Sequence, residues 1–508
     1  MDRLKMKNII TVTVPRLFSR LGKMGGRRVF LLVNLLIVVL NASLGILMNL
    51  AAFTRGSYRH KYYLSLPSEQ SNLSVSTSPL GTGGELSTVF GVLPAVFGVL
   101  DASGNYTTHA FVWPAQGWDV ITAEFHVCLA TQASVERLFW VAWQAETWTG
   151  PMSVAVFVPG SEYAVAAAMV SYLRRCFPNV QEKVSFHLVH PRTRPPRSSP
   201  IPELLDLSCD NPEESNKILM SLRDENETRE RRYPQNLMRN LARRTCQCEY
   251  SLTIDIDMLT PPYMSENLTK FLSGGTDGTP CWKCAYVIPV YELDTSVEYP
   301  PDDKKELLRL LLKGLARRFH IKVYAKNQGN SHLEYWEVEP GSGSSLDYTV
   351  LYNITTFEEF WEPVLILPYT APPFDERFIG YGFTRNSQVY ELHCRGYQFR
   401  VLDKAFLTHR GFQTTTSYTP TRFAQIEINR LRYQMFKREL HARMGLPPPP
   451  ALGGPPLRQQ LPALIFGKPR TRLPPPKIIN SSKKHSNLPH KILTFPRKTP
   501  NLAKNTKS

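Results

Sequence analysis

The sequence predicts an α/β protein with a mostly parallel sheet flanked by helices. Apolar strand patterns alternate with helical patterns from residue 125 to residue 190, and this alternation is typical of a parallel sheet covered on both faces. A chain of 508 residues that is 42% hydrophobic can bury one large core or two medium ones. One short apolar strand also ends in two carboxylates, and in folds of this class ligands bind beyond the carboxyl ends of strands.

The positive charge of the chain lies at its two ends. The formal net charge is +17, of which residues 1–28 contribute +7 and residues 441–508 contribute +13, so the middle of the chain is about −3. A middle that is nearly neutral argues against a nucleic-acid-binding face on the folded part. We therefore expect no nucleic-acid partner.

A membrane anchor is predicted near the N-terminus. Residues 29–53 contain no charged side chain and are rich in Leu, Val and Ile, and about 20 such residues cross a bilayer. This apolar region is longer than that of a cleaved signal peptide, which has about 7–15 residues. The basic residues before it predict a cytoplasmic tail over 1–28 and a single-pass type II topology, with the rest of the chain in a lumen or outside the cell.

The chain after the anchor has the features of a secretory protein. Residues 54–115 are rich in Ser, Thr, Gly and Pro, as in a stem. Glycosylation sequons begin at Asn72, Asn105, Asn226, Asn267, Asn353 and Asn480. All eight cysteines follow the anchor, where disulfides can form. Four of them could instead form a zinc site, although the compartment favours disulfides; these are Cys246, Cys248, Cys281 and Cys284.

Local patterns predict the elements of a domain over residues 116–445. Strands are predicted at 125–130, 152–159, 184–190, 250–258, 284–291, 364–367 and 399–402. Helices are predicted at 134–147, 161–176, 302–319 and 386–393, and a further helix opens at 233. Residues 192–232 are polar and Pro-rich, so we expect an exposed insertion. Residues 446–508 are basic and Pro-rich, and we expect a disordered tail.

The strand at 250–258 carries the residues that best suit a metal ion. Asp255 and Asp257 are two apart, so on a strand both side chains point to one face. Neighbouring carboxylates repel each other unless a cation lies between them, and hard oxygen ligands suit Mg²⁺ or Mn²⁺. Many sugar-nucleotide transferases use such a pair to hold the metal that binds the diphosphate, although a solvated strand end has the same pattern.

The helix before this strand provides candidate donor-binding residues. Its apolar residues have helical spacing, which leaves four polar residues on its other faces: Asn236, Arg239, Asn240 and Arg243. An arginine fork can bind two oxygens of a diphosphate or of a sugar carboxylate. A solvated charged face is the alternative interpretation.

Candidate catalytic and ligand residues also occur near the C-terminal end of the domain. Asp375 and Glu376 are adjacent carboxylates among aromatic residues, which suits a base near an acceptor hydroxyl, although a salt-bridged loop has the same composition. His409 follows an apolar strand, where a histidine either binds a metal or belongs to the core.

Taken together, the motifs resemble the β-1,4-glucuronyltransferase family, which is related to the second catalytic domain of the LARGE xylosyl- and glucuronyltransferases. The resemblance covers roughly residues 120–440, with the motifs in the same order and at similar spacing. They are NLMRNLAR at 236–243, IDIDM at 254–258, FDERF at 374–378, YGF at 381–383, SQ at 387–388, ELH at 391–393 and FLTHRGF at 406–412.

The resemblance implies a GT-A type nucleotide-sugar transferase fold and an inverting enzyme of the Golgi membrane with a lumenal catalytic domain. It implies Mn²⁺ as the cofactor, held by Asp255, Asp257 and His409. The implied reaction transfers glucuronate from UDP-glucuronate in β-1,4 linkage to a terminal xylose, on an O-mannosyl-type glycan of a glycoprotein such as a dystroglycan-like protein. We also expect a complex with other Golgi glycosyltransferases.

Three alternatives remain open. A LARGE-like transferase would use another UDP-sugar such as UDP-xylose, but we expect a single glycosyltransferase domain here, because no second one precedes it. A catalytically inactive lumenal lectin-like or scaffold protein would show no transfer. A basic glycan-tethering protein would act mainly through the tail at 446–508.

Overall fold

The structure, a computed structural model, describes residues 98–197, 207–224, 232–274, 281, 283–338, 347–414 and 419–450. The chain divides into two compact units, Met1–Gly83 and Gly84–Ser508, and all described residues belong to the second unit. The predicted cytoplasmic tail and the predicted anchor at 29–53 lie outside the described residues, as does the predicted basic tail after residue 450. Among the helices that the structure describes, none combines the length and the apolar character that a membrane span needs.

The described part of the chain contains fourteen strands in two sheets. They are β1 (Val99–Leu100), β2 (Tyr106–Trp113), β3 (Val127–Ser134), β4 (Met152–Phe157), β5 (Val184–Pro191), β6 (Tyr250–Thr253), β7 (Met258–Leu259), β8 (Cys284–Ile288), β9 (Val290–Leu293), β10 (Ala316–Arg318), β11 (Val350–Ile354), β12 (Val364–Pro368), β13 (Gln398–Leu402) and β14 (Leu407–Arg410). Ten strands form one sheet in the order β1-β2-β5-β4-β3-β6-β12-β8-β13-β11. The other four form a second sheet in the order β10-β9-β14-β7.

Twelve α-helices occur in the same described residues. They are α1 (Trp118–Glu124), α2 (Trp140–Thr147), α3 (Glu162–Cys176), α4 (Pro178–Lys183), α5 (Pro212–Ser221), α6 (Gln235–Arg244), α7 (Met264–Gly274), α8 (Lys304–Leu312), α9 (Lys326–Gly329), α10 (Leu333–Trp336), α11 (Asn386–Cys394) and α12 (Pro420–Met444). A 3₁₀ turn at Val135–Arg137 precedes α2. In α3, an acidic residue in the first turn and two arginines in the last turn complement the helix dipole.

The ten-stranded sheet is mixed. Strands β5, β4, β3 and β6 run parallel, whereas β12 is antiparallel to both of its neighbours, β6 and β8. Five of the nine strand pairings in this sheet are antiparallel, so the α/β prediction is confirmed but the prediction of a mostly parallel sheet is wrong. The reason is physical, because an apolar run buried on both faces does not encode the direction in which a strand runs.

The parallel strands form the centre of the main core. Every residue of β4 is buried, as expected for a strand that is covered on both faces. Val154 and Val156 pack with Met169 of α3 in the largest apolar cluster. A second cluster, which includes Trp336 and Trp361, surrounds β8, β9 and β13. These two cores fix the sheet edge at which β6 ends.

The predicted strand at 250–258 is shorter than expected. β6 ends at Thr253, and the chain then turns and joins the four-stranded sheet as β7, so Asp255 and Asp257 lie in a turn between the two sheets. Ile254 and Ile256 are still buried in the main core. The alternation of buried and polar residues therefore continues through the turn, although the strand does not.

Two other predicted elements are also divided. The predicted strand at 284–291 forms β8 and β9, because Pro289 has no N–H to continue one ladder. The predicted helix at 302–319 ends at Leu312, and Gly314, with a φ of +69°, turns the chain into β10. Residues 316–318, predicted to be helical, instead form β10, which pairs with β9 in the four-stranded sheet.

Two regions that were predicted to lie outside the core contribute to it. Part of the predicted stem forms β2, which pairs with β5, so the ten-stranded sheet includes residues from 99 onward. Part of the predicted insertion forms α5, in which Ser215 and Leu219 are buried. A disulfide between Cys176 and Cys209 joins this segment to the end of α3.

The disulfides contradict the zinc alternative. Cys246 pairs with Cys128 of β3, and Cys281 pairs with Cys284. Three of the four cysteines of the proposed zinc site therefore form disulfides, and Cys248 lies buried beside Thr122. Sequence alone could not decide this, because β3 and the end of α6 meet only in the folded chain.

Candidate functional site

The candidate site lies in the turn between β6 and β7. Ile254 and Ile256 anchor this turn in the main core, and Asp255 and Asp257 alternate with them on the open side. The backbone N–H of Met258 donates to the carbonyl of Asp255 at 3.1 Å, which closes the turn. The two carboxylates therefore lie at the end of β6, at the edge where ligands bind in α/β folds.

Two arginines hold Asp255. An Nη atom of Arg239 in α6 lies 3.1 Å from Asp255 Oδ1, and an Nη atom of Arg385, directly before α11, lies 2.8 Å from the same oxygen. The side chain of Asp255 is 33% exposed, whereas those of Arg385 and Arg239 are 11% and 2% exposed. Burial alone would raise the pKa of Asp255, but the two guanidinium groups outweigh burial and lower it far below its usual range.

Asp257 lies between a surface arginine and a histidine. Its Oδ2 accepts a hydrogen bond from Arg137 at 2.9 Å and lies 3.5 Å from Nε2 of His409. Burial opposes ionisation of Asp257, but His409 and Arg137 together lower its pKa. Burial likewise opposes protonation of His409, but the hydrogen bond and charge of Asp257 raise its pKa.

The four-stranded sheet brings His409 to the acidic turn. β14 pairs with β7, and this pairing places His409 opposite Met258, the residue that follows Asp257. His409 Nδ1 donates to the carbonyl of Gly411, and Gln413 contacts Nε2 at 3.2 Å. This pairing brings together Asp257 and His409, which are 152 positions apart in the sequence. The metal-binding role of both residues remains a prediction.

The donor atoms at this turn suit Mn²⁺. Carboxylate oxygens and an imidazole nitrogen are ligands that such an ion accepts, and Asp257 and His409 lie close enough to be neighbours around one ion. Oδ1 of Asp255 is occupied by the two arginines, so only its other oxygen could face a cation. Across the residues that the structure describes, no three His, Cys, Asp or Glu side chains converge closely enough to hold a metal ion alone. Oxygens of a bound diphosphate and water would have to complete the coordination.

The four predicted donor-binding residues of α6 are all buried. Asn236 donates to the carbonyls of Asp375 and Thr384, and Asn240 donates to the carbonyl of Phe374. These amides therefore bind the chain over residues 372–384, which covers α6 on the side away from the sheet. Of the four residues, the structure brings Arg239 to the acidic turn, and the donor-binding role of all four remains a prediction.

Arg243 holds the chain that leads into this covering segment. Its guanidinium donates to the carbonyls of Pro368, Ala371 and Pro372 at 2.9 Å each. Burial lowers its pKa to about 10, so the side chain stays charged at neutral pH. An arginine whose donors point to backbone carbonyls positions a loop, and the structure does not bring it to Asp255.

Asp375 and Glu376 lie in this covering chain, and other side chains hold both carboxylates. Arg377 binds both oxygens of Asp375, with distances from 2.6 to 3.1 Å, and Arg377 also pairs with Glu439 of α12. Oε1 of Glu376 accepts from Asn240 at 2.8 Å. The alternative of a salt-bridged loop therefore describes Asp375, and the structure leaves the catalytic role of both residues untested.

Sequence reasoning missed two charged residues of the site, Arg137 and Glu362. Arg137 lies in the 3₁₀ turn after β3, and Glu362 precedes β12, whose antiparallel pairing with β6 brings it to the edge where Asp255 lies. Arg385, directly before α11, is a third charged residue that the fold brings to this edge. The signal that could have found all three is their position at an end of a strand or helix, but only the sheet order shows which ends meet.

Comparisons with known proteins identify the family of the chain. A family model described as glycosyl-transferase for dystroglycan matches residues 126–445. The chain belongs to this glycosyltransferase family. β-1,4-Glucuronyltransferase 1 of Bos taurus is 32% identical over 368 residues, which cover 68% of this chain and 81% of the bovine protein. The corresponding Danio rerio protein is 30% identical over 368 residues, with the same two coverages.

More distant similarities were also found for this glycosyltransferase. Xylosyl- and glucuronyltransferase LARGE2 of Rattus norvegicus is 24% identical over 319 residues, covering 62% of this chain and 38% of the rat protein. The crystal structure of S. aureus TarS 1-349 in complex with UDP is 12% identical, covers 63% of this chain and 71% of that one, and has a TM-score of 0.26. The family predicted from the motifs is confirmed, and so is a transferase class of enzyme.

The pairing of Asp255 with two arginines predicts different effects for the two acids of the turn. Asp255→Asn removes the charge that balances Arg239 and Arg385, so we expect it to abolish transfer and to lower the free energy of unfolding by about 2 kcal/mol. Asp257→Asn affects a pair with the half-exposed Arg137, so we expect loss of transfer with little change in stability. Urea unfolding and a transfer assay measure both effects. Equal stability of the two variants would contradict the role given to the arginines.

Proposed function

We propose that this glycosyltransferase is a metal-dependent inverting enzyme that moves glucuronate from UDP-glucuronate to a terminal xylose in β-1,4 linkage. The observation that carries the proposal is the pair of arginines, Arg239 and Arg385, held at Asp255 beside Asp257 and His409. The relatives named β-1,4-glucuronyltransferase 1, at 30–32% identity, support the donor and the linkage. The acceptor that we propose is an O-mannosyl-type glycan of a glycoprotein such as a dystroglycan-like protein, in keeping with the family description.

Asp257 and His409 would hold Mn²⁺, with Asp255 as the third side chain. When bound, the ion supplies positive charge that stabilises the diphosphate as it leaves. Arg137 pairs with Asp257 and is 51% exposed, so it can turn toward a phosphate oxygen when a cation replaces it at the carboxylate. The family resemblance supports this metal dependence together with the chemistry of the donor atoms.

The two arginines suit a donor that carries a carboxylate. Among the described residues, Asp255 is the only acid that forms an ion pair with Arg239 or Arg385, so one carboxylate faces two positive charges. A glucuronate carboxylate would need a cationic partner, since burial of an unpaired charge is costly. We expect Arg385 to bind it, because Arg385 is the more exposed of the two, and its guanidinium, which contacts Asp255 and the carbonyl of Thr253, has further N–H donors.

We also propose that the enzyme works in the Golgi lumen, anchored through residues 29–53 and in a complex with other Golgi glycosyltransferases. Exposure of Asn105 in a turn and of Asn353 on the edge strand β11 supports this location, since both sequons are open to modification. Treatment of the chain from secretory cells with an N-glycosidase should lower its mass. An unchanged mass would contradict the lumenal location.

A donor panel tests the proposed reaction. The full-length chain, purified in detergent, is incubated with Mn²⁺, a xylose-terminated acceptor and each of UDP-glucuronate, UDP-glucose and UDP-xylose. We expect β-1,4-linked glucuronate on the acceptor, with no product in EDTA. Transfer of xylose would favour a LARGE-like enzyme, and glycan binding with no transfer from any donor would favour the inactive lectin-like alternative.

The proposed role of Arg385 predicts a change in donor preference. Arg385→Lys keeps the charge but not the fork, so we expect the preference for UDP-glucuronate over UDP-glucose to fall roughly tenfold or more, as expected for loss of one charged hydrogen bond. Arg400→Lys is the matched control, since Arg400 on β13 bonds only to Gln398 within the described residues. An unchanged preference in Arg385→Lys would remove Arg385 as the group that binds the carboxylate.

A further inference from the structure

A third acid lies at the edge where β6 ends. Glu362 precedes β12, and because β12 runs antiparallel to β6, its N-terminal end lies beside the C-terminal end of β6. The residues on either side, Trp361 and Pro363, are buried, whereas Glu362 is partly exposed. Glu362 is therefore the residue of this segment whose side chain leaves the core at the end of the sheet where the acidic turn lies.

Asn327 fixes the orientation of Glu362. The backbone N–H of Glu362 donates to the carbonyl of Asn327 at 2.8 Å, and the Asn327 side-chain amide donates to Glu362 Oε2 at 3.1 Å. Asn327 is itself buried, so this two-point contact is rigid. One carboxylate oxygen is thus held by an amide, and the amide carries no charge that would neutralise the acid.

The charges around Glu362 come from the candidate donor site. Arg385, Arg239 and Asp255 are the charged groups that act on its carboxylate, and it forms no ion pair with either arginine among the described residues. Burial raises the pKa of Glu362 to about 7, against the opposing pull of Arg385 and Arg239. The acid is therefore within electrostatic reach of the donor site without being tied to a cation.

Three other acids of the domain are held by neighbouring side chains. Arg377 binds both oxygens of Asp375. Glu376, in the chain that covers α6, accepts a hydrogen bond from Asn240 of that helix. Glu292 is fully buried and is bound by Arg317. Asp375 and Glu292 are thus each paired with an arginine, whereas Glu362 forms no ion pair among the described residues.

We propose that Glu362 is the catalytic base of the transfer. It accepts the proton of the acceptor hydroxyl as that oxygen forms a bond to the anomeric carbon of the donor. In the same step the bond from this carbon to the diphosphate oxygen breaks, and its electron pair leaves with UDP. The inference rests on the proposed transferase function, and it replaces Asp375 and Glu376, the bases that the sequence suggested.

Glu362→Gln tests the proposal, because glutamine keeps the shape and can keep the contact with Asn327 but cannot accept the proton. We expect kcat to fall roughly 100-fold or more, as for loss of a general base, while binding of UDP-glucuronate with Mn²⁺ stays unchanged. The wild-type kcat/KM should rise with pH through the acid limb and then level, since the deprotonated acid is the active form. In Glu362→Gln this limb should be absent. Glu358→Gln, an exposed acid four positions earlier, is the matched control and should keep wild-type kinetics.

Several outcomes would overturn the assignment. The first is a Glu362→Gln enzyme that retains both its rate and its acid limb. The second is a Glu362→Gln enzyme that loses donor binding together with its rate. The third is loss of the acid limb in Asp375→Asn or Glu376→Gln instead. Thermal unfolding of each variant separates these results from misfolding. If wild-type enzyme transfers a sugar other than glucuronate, the proposed donor fails, and the same pH comparison with the accepted donor still decides the role of Glu362.

Discussion

The site depends on the pairing of one carboxylate with two buried arginines. Asp255 accepts from Arg239 and Arg385 through one oxygen, and this pairing offsets the cost of burying the two guanidinium groups. The pair of arginines in turn keeps Asp255 ionised. This pairing links α6 and the nearby turn after β6 to the start of α11, where Arg385 lies 130 positions after Asp255. It also concentrates positive charge where an anionic donor would bind, next to the oxygen and nitrogen atoms of Asp257 and His409.

The polar residues of α6 explain how this arrangement is held in place. One side of the helix packs on β3 and β4 through Leu237, Met238 and Leu241, and the opposite side is covered by the chain over 372–384. Within that chain, the carbonyls of residues 379, 381 and 382 accept hydrogen bonds from the side chain of Asn429 in α12. Buried amides and guanidinium groups that bind backbone carbonyls give a loop a fixed position without a sheet or a helix of its own. Arg385 follows directly after this loop.

The sequence predicted the parts of the fold that depend on local patterns. Helices α3 and α11 begin and end within one residue of their predicted bounds, because apolar spacing acts within one helix. The direction of β12 and the break after Thr253 depend on which strands become neighbours, and no local pattern carries that information. The same limit applies to the site. Asp255 and Asp257 were found from their spacing, but Glu362 has no motif and becomes part of the site only through the antiparallel pairing of β12 with β6.

We propose that the charged groups around Asp255 form a metal-dependent site for a donor with a carboxylate. Isothermal titration of the full-length wild-type chain with UDP-glucuronate and with UDP-glucose, each with Mn²⁺ and with EDTA, tests it most directly, because binding is measured apart from chemistry. We expect UDP-glucuronate to bind more tightly than UDP-glucose in Mn²⁺, and its affinity to fall sharply in EDTA. Equal affinity for the two nucleotide sugars, or binding of UDP-glucuronate that does not depend on the metal, would contradict it.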